Sequence, residues 1–308
     1  MFALDLRTQL LSFMLCNLVC LALVVSLWRN NRQRYAGTQD WLANFVLQFL
    51  GLLLLLARGQ VPNFFSIVVA NAMLVGGTYL LHRGLLKFLN RPHQPWPGRL
   101  VWLAFVLVHT YFSEVENNAH IRNINISIAL AFFGAQMSYL LLRQTPAAQR
   151  PIVVTTGWTA LSYTVFSLLR LVLELLYPVT PTNAFGSPQA AFIVRGYQLL
   201  AIAITITLSL MVNRALIANL NEQLVAKDHT TRALQESEAH FKLAEFLGDQ
   251  ALELAQELQA RVSVAEVKLS EVSLQRTQLE ELMLSVSRSR DDTLVLDTLA
   301  FRLGNSGA

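Results

Sequence analysis

The 308-residue sequence predicts an all-α protein: a polytopic seven-helix membrane bundle followed by a long cytoplasmic helical coiled-coil tail. Three observations carry this. Hydrophobic residues make up 54% of the chain and charged residues 14%, against about 25% charged in soluble proteins. The charge is split: residues 1–213 hold 14 Lys+Arg and 5 Asp+Glu, whereas residues 214–308 hold 10 Lys+Arg and 15 Asp+Glu. The tail also repeats apolar residues at alternating three- and four-residue steps, the signature of a helical seam.

A helix needs about 20 apolar residues to cross the hydrocarbon core. Seven stretches qualify: 8–28, 41–58, 62–82, 99–115, 121–142, 151–176 and 189–213. The fourth is the weakest, with a clean apolar run only from Leu100 to Phe112. Pro62 and Pro151 open the third and sixth, at first-turn positions where a missing N–H costs little. The first run is too long for a signal peptide and is followed by Arg29, Arg32 and Arg34, so it reads as a retained span. Cys16 and Cys20 are the only cysteines and sit one turn apart in that span, as packed or lipid-facing thiols.

Loop charge sets the orientation. Nine basic residues fall on one side (Arg29, Arg32, Arg34, Arg83, Lys87, Arg91, Arg99, Arg143 and Arg150) and three on the other (Arg7, Arg58 and Arg122). The N-terminus is therefore expected outside and the C-terminus in the cytoplasm. Trp28, Trp41, Trp96 and Trp102 fall near the inner boundary as expected interfacial anchors. The seventh span contains no lysine, which excludes a retinal Schiff base there. No internal repeat or mid-span proline favours a transporter, which stays a second alternative. Gly76–Gly77, within Ala72-x-x-x-Gly76, reads as a site of close helix packing.

Ionisable residues inside a membrane are costly and point to function. Arg170 and Glu174 are neighbours one turn apart near the outer end of the sixth span, and Arg195 has similar depth in the seventh. With His109, Glu114, His120 and Asn123 they form a candidate polar pocket open to the outside. Two arginines above a carboxylate suit an anionic or zwitterionic small ligand. The competing reading is structural: Arg170 pairs with Glu174 to lower its burial cost, and Arg195 reaches the headgroups. No ligand spacing at His109, Glu114 and His120 is diagnostic of a metal, and neither metal nor cofactor is assigned. Asn44 and Gln48 on the second span, and Asn71 on the third, read as interhelical hydrogen-bonding glue.

The tail divides into a signalling helix and coiled coil over 214–290, with a break expected near 248, and a short C-terminal helix with a frayed end over 291–308. Gly248 is the expected break, Asp249 the cap of the second segment, and Asp291–Asp292 the cap of the last. The seam runs Ala251, Ala255, Leu258, Val262, Ala265, Leu269, Val272, Arg276, Leu279, Met283, Val286, apolar except at Arg276. It predicts a parallel homodimer, with a hairpin about Gly248 as the alternative.

RGQVPNFFSIVVANAMLVGGTYLLHRGLLKFL (58–89), TTGWTALSYTVFSLLRLVLELL (155–176) and LMVNRALIANLNEQL (210–224) resemble the seven-helix sensory input module of bacterial membrane diguanylate cyclases with GGDEF domains and of sensor histidine kinases. ALQESEAHFK (233–242) is similar to the helix that opens PAS domains in such proteins. The resemblance covers about residues 25–224 and implies signal input. The sequence contains no GG[DE]EF motif, and 95 tail residues are too few for a cyclase or kinase domain, so no enzymatic activity is expected. The expected function is sensing of a membrane or periplasmic signal, relayed through the coiled coil to a separate cytoplasmic partner. The alternative is the input portion of a membrane diguanylate cyclase or histidine kinase. The expected partners are membrane lipid, a second copy through the tail and that cytoplasmic protein, with no nucleic acid.

Overall fold

The computed structural model describes residues 6–92, 95–178 and 188–304. Close contacts divide the chain into two units, one ending at Glu222 and one beginning at Gln223. The described residues are helical throughout, apart from short connections and an isolated bridge between Arg58 and Val61. The helices are α1 (Leu6–Asn31), α2 (Thr38–Leu56), α3 (Ala70–Phe88), α4 (Pro95–Thr110), α5 (Ala119–Tyr139), α6 (Arg150–Leu176) and α7 (Pro188–Gly304). Short π-helical segments at Phe64–Val69, Tyr111–Val115 and Leu140–Gln144 adjoin α3, α4 and α5.

Six of these helices are long and apolar enough to cross a membrane: α1, α2, α3 with its π segment, α5, α6 and the start of α7. α4 is not among them. Its 16 residues give about 24 Å of helix, short of a hydrocarbon core of about 30 Å. The side chains of α1 show the membrane pattern directly. Leu10, Phe13, Asn17, Cys20 and Val24 recur at three- and four-residue steps and are buried, while Leu11, Leu15, Leu18, Val19 and Leu23 are exposed. Polar Gln9 and Asn17 lie on the buried face and leucines on the open one. Such a surface is unfavourable in water and suited to lipid.

α2 and α3 pack closely because glycine opens the contact. Gly37 holds the left-handed conformation (φ 92°) ahead of α2. A Cβ on Gly84 of α3 would lie 2.5 Å from the Trp41 ring. At the same end, buried Asp40 is paired with Arg83 and with Lys87 Nζ at 2.8 Å. The close-packing expectation for the glycine pair fits what surrounds it. A Cβ on Gly76 would meet Trp102 Nε1 at 2.9 Å, and one on Gly77 would meet Asn44 Oδ1 at 2.9 Å. Trp41 and Trp102 therefore depart from the expected interfacial role. Trp41 is fully buried, and Trp102 donates to the Ala72 carbonyl at 3.0 Å. Trp96 remains exposed. Asn71 also departs from its expected interhelical role, donating to the Ile67 carbonyl one turn earlier at 2.7 Å.

The first 35 residues of α7 belong to the first unit. Thr156 Oγ1 donates to the Thr207 carbonyl at 3.1 Å, Arg214 to the Pro151 carbonyl at 2.9 Å, and Asn219 to Tyr35 OH at 3.1 Å. These contacts extend the unit past the boundary expected at residue 213. Within the second unit α7 runs through Gly248 and Asp249 without interruption, so the expected break is absent and the hairpin about it is not formed. One glycine costs a helix only about 1 kcal/mol relative to alanine, and nothing packs against this one to bend it. Asp291 and Asp292 are likewise interior to α7 and cap no separate helix. The end of the tail, 305–308, lies outside the described residues. Ion pairs one turn apart, Asp228–Arg232, Glu257–Arg261 and Arg276–Glu280, lie along the exposed helix.

Candidate functional site

The first unit encloses two adjoining cavities. The vestibule, about 220 Å³, lies at the Arg58 end and is lined by Arg58, Arg122 and Arg170, by His109, Asn123 and Glu174, and by apolar residues of α1 and α7. The chamber, about 190 Å³, lies deeper and is walled mainly by Leu10, Phe13, Leu52, Leu74, Leu130 and Ile193. Asn71, Ile126, Arg170 and Val194 line both, so Arg170 stands at the junction.

Helical period places these groups. Arg170 and Glu174 are one turn apart on α6, and His120 and Asn123 are one turn apart on α5. Asn118 caps α5 through its side chain, accepting from the Ile121 N–H at 3.2 Å, which fixes where the first turn of α5 starts. Packing α5 on α6 then brings the two pairs face to face. His120 Nδ1 donates to Glu174 Oε1 at 3.0 Å, and Asn123 Nδ2 donates to Glu174 Oε2 at 3.1 Å. Arg170 Nη2 reaches Asn123 Oδ1 at a long 3.5 Å. Asn123 thus links the arginine to the carboxylate, and the expected direct pairing of Arg170 with Glu174 is replaced by His120–Glu174.

From Arg170 the contacts continue inward. Its guanidinium lies 5.8 Å from the centre of the Tyr197 ring on α7. Ser167 Oγ donates to the Tyr163 carbonyl at 2.9 Å, which leaves it to accept from Tyr197 OH at 3.0 Å. The Tyr163 and Tyr197 rings meet edge to face at 5.5 Å, and Tyr163 OH lies 3.5 Å from Thr78 Oγ1. Four helices, α3, α5, α6 and α7, are therefore tied together around the two cavities.

Arg122 is 93% buried and spends its hydrogen bonds on neutral acceptors, the Phe112 carbonyl at 3.0 Å and Asn117 Oδ1 at 2.8 Å. The Phe112 carbonyl lies in the π-helical turn Tyr111–Val115, where the regular ladder opens, and π turns often mark functional positions. His109 is 99% buried beside Phe105, with ring centres 5.1 Å apart. The Ile67 backbone faces the His109 ring, yet neither ring nitrogen closes a hydrogen bond. Both amide atoms of Asn17, at the chamber wall, are also unpaired and buried.

Of the residues expected from sequence, His120, Asn123, Arg170 and Glu174 form one connected group, and His109 lines the same vestibule. Glu114 and Arg195 do not join it. Glu114 is exposed and accepts from Ser113 Oγ at 3.3 Å. Arg195 is exposed because it lies two residues from both Ile193 and Tyr197, which turn toward the cavities. Among the described residues no three His, Cys, Asp or Glu side chains converge as a metal site. Sequence reasoning missed Asn17, Tyr163 and Ser167. Asn17 was marked by being an amide in an otherwise apolar span, in register with Leu10, Phe13 and Cys20.

The fold and site define a helical protein whose long apolar helices suit a membrane and enclose a polar-mouthed cavity. No protein-family model, no curated protein and no solved structure matches the chain.

Proposed function

We propose that the protein is a bacterial inner-membrane signal sensor. The vestibule and chamber receive the signal, and α7 relays it to a parallel coiled-coil dimer that acts on a separate cytoplasmic partner. One observation supports this most strongly. Ile193, Val194, Tyr197, Ala201 and Ile204 of α7 line the cavities, and the same continuous helix carries the seam from Ala251 to Val286. Occupancy of a cavity in contact with that helix can shift its position, and a helix transmits a small shift along its length. The resemblance of residues 25–224 to sensory input modules points the same way. The reading assigns no catalytic step to these residues.

The coupling has a direct test. Tyr197→Ala removes the aromatic wall beside Arg170 and leaves the tail sequence unchanged. With Val272→Cys in the seam, disulfide crosslinking in native membranes should change by about twofold on adding Tyr197→Ala, a shift of about 0.4 kcal/mol in the two-state balance. Identical crosslinking with and without Tyr197→Ala would mean that cavity and tail are uncoupled.

The topology we propose has seven crossings, with the N-terminus outside and the tail in the cytoplasm. α4 is the critical element. Together with its π extension it covers Pro95–Val115, 21 residues, and its exposed Leu100, Leu103 and Leu107 form an apolar face opposite buried Phe105 and His109. Reporter fusions after Arg34, Arg99 and Arg150 should read cytoplasm, and fusions after Glu116 and Tyr177 should read the outside. The same compartment on both sides of α4 would leave six crossings and sink the seven-span arrangement.

A further inference from the structure

We propose that the two cavities form one site for a single-chain amphiphilic acid, its carboxylate at Arg122, Arg170 and His109 in the vestibule and its alkyl chain in the chamber. This rests on the sensor reading and names the class of ligand.

Two of the vestibule's arginines, Arg122 and Arg170, direct their hydrogen bonds at neutral acceptors. Arg122 donates to a carbonyl and an amide oxygen, and Arg170 Nη2 donates to the Asn123 amide oxygen. Arg170 Nε makes no hydrogen bond although it is buried. Both oxygens of Glu174 accept from His120 and Asn123, on the far side of that amide. Two guanidinium groups bonded to neutral acceptors in a low-dielectric setting favour an incoming anion, and a carboxylate accepts from arginine with two oxygens. His109 is the second, independent indication. It is 99% buried, lines the vestibule, and closes no hydrogen bond at either ring nitrogen, although the Ile67 backbone faces the ring. A buried N–H that closes no hydrogen bond costs about 1–3 kcal/mol, and a bound carboxylate could accept from the ring N–H and relieve it.

The chamber explains why the acid should carry a chain. Leucine, isoleucine and phenylalanine make up about half of its lining, beside the amides of Asn17, Asn44 and Gln48, and it continues the vestibule past the residues the two cavities share. From Val194 to Ile204 it follows eleven residues of α7, a rise of about 15 Å, a length suited to a saturated chain of roughly ten carbons. Each buried methylene adds about 0.8 kcal/mol. A volume of about 190 Å³ has room for one such chain. The vestibule and chamber together fall within the ~300–1,000 Å³ of ordinary small-molecule sites.

The test is equilibrium binding of radiolabelled decanoate to the full chain in zwitterionic nanodiscs, with empty nanodiscs as the background. Decanoate should bind saturably at one site per chain. Decanol lacks the charge and acetate lacks the chain, and each should compete about tenfold or more worse. Arg122→Gln and Arg170→Gln should each weaken decanoate binding by about tenfold, the value of a charge-assisted hydrogen bond. Ala201→Phe, which fills the chamber from α7, should reduce binding, whereas Arg195→Gln, on the exposed side of the same helix, should leave it unchanged. Decanol equal to decanoate would reveal an apolar cavity only, and acetate equal to decanoate an ion site only. Either result overturns the proposal, as does full binding by both glutamine variants. Nanodiscs containing phosphatidylglycerol separate the two sources of an anionic head. Undiminished decanoate binding there supports the free acid, and its loss would assign the vestibule to a lipid headgroup and overturn the single-chain ligand. Crosslinking of the tail plays no part in these measurements. Decanoate can therefore fail to bind while the Tyr197→Ala coupling test still stands, and the reverse.

Discussion

Glu174→Leu should destabilise the detergent-solubilised protein by about 3 kcal/mol, and Arg170→Ala by about 1 kcal/mol. The order follows from what each side chain holds. Glu174 is 99% buried and both of its oxygens accept hydrogen bonds, from α5 residues His120 and Asn123. Removing it strands two donors and takes the one carboxylate from a vestibule lined by three arginines. Each buried donor left without its partner costs about 1–3 kcal/mol. The lower part of that range applies here because the His120 side chain keeps 30% exposure and water screens it. Arg170 has only the long contact to Asn123 and the Tyr197 ring face, so its loss leaves no buried carboxylate alone. Thermal unfolding of the two variants side by side measures the difference. An equal loss for both would show that Arg170 and Glu174 act as a direct pair, as their spacing in sequence first suggests.

That comparison marks where sequence stops being informative. The spacing of Arg170 and Glu174 correctly places both on one face of α6, because the helical period depends only on the chain itself. Which partner each finds depends on the packing of α5 on α6 and on a side-chain cap at Asn118, and no spacing rule encodes that register. Arg195 shows the same limit. Its depth along α7 was legible, but its direction was fixed only when Ile193 and Tyr197 turned toward the cavities. The long apolar helices were readable because lipid rewards uninterrupted hydrophobicity. α4 was the weakest stretch in sequence and is the one that falls short in the fold. The tail break was misread in the opposite direction. Gly248 is a weak helix former, but a local cost of about 1 kcal/mol breaks a helix only where tertiary contacts favour the bend.

Symmetric disulfides at Val272→Cys and Leu279→Cys, formed in native membranes and increased by Arg276→Leu, are the expected signature of the tail dimer. Leu258, Val262, Leu269, Val272, Leu279, Met283 and Val286 are each more than half exposed in the single helix. With Ala251, Ala255 and Ala265 they hold a three- and four-residue alternation from residue 251 to 286, about 54 Å of helix. A stripe of that length leaves a large apolar area uncovered in the single helix, and a second copy in parallel register would cover it. Leu258, Ala265, Val272, Leu279 and Val286 would then form one set of layers, with Ala255, Val262, Leu269, Arg276 and Met283 between them. Arg276 is the charged member of this seam, and its Nε already donates to Glu280 Oε1 at 3.0 Å one turn away. That bond can hold the charged head at the rim while the stem packs, at some cost to the dimer. A polar residue in a seam sets register and strand number at the expense of stability. Leucine in its place should strengthen the dimer and, by the same step, reduce how far Tyr197→Ala can shift the crosslinking at Val272→Cys. A tail held more tightly needs a larger push to move between two arrangements. Asymmetric or absent crosslinks at both positions would reject the parallel dimer, because the two cysteines lie one heptad apart and must meet their own counterparts together or not at all.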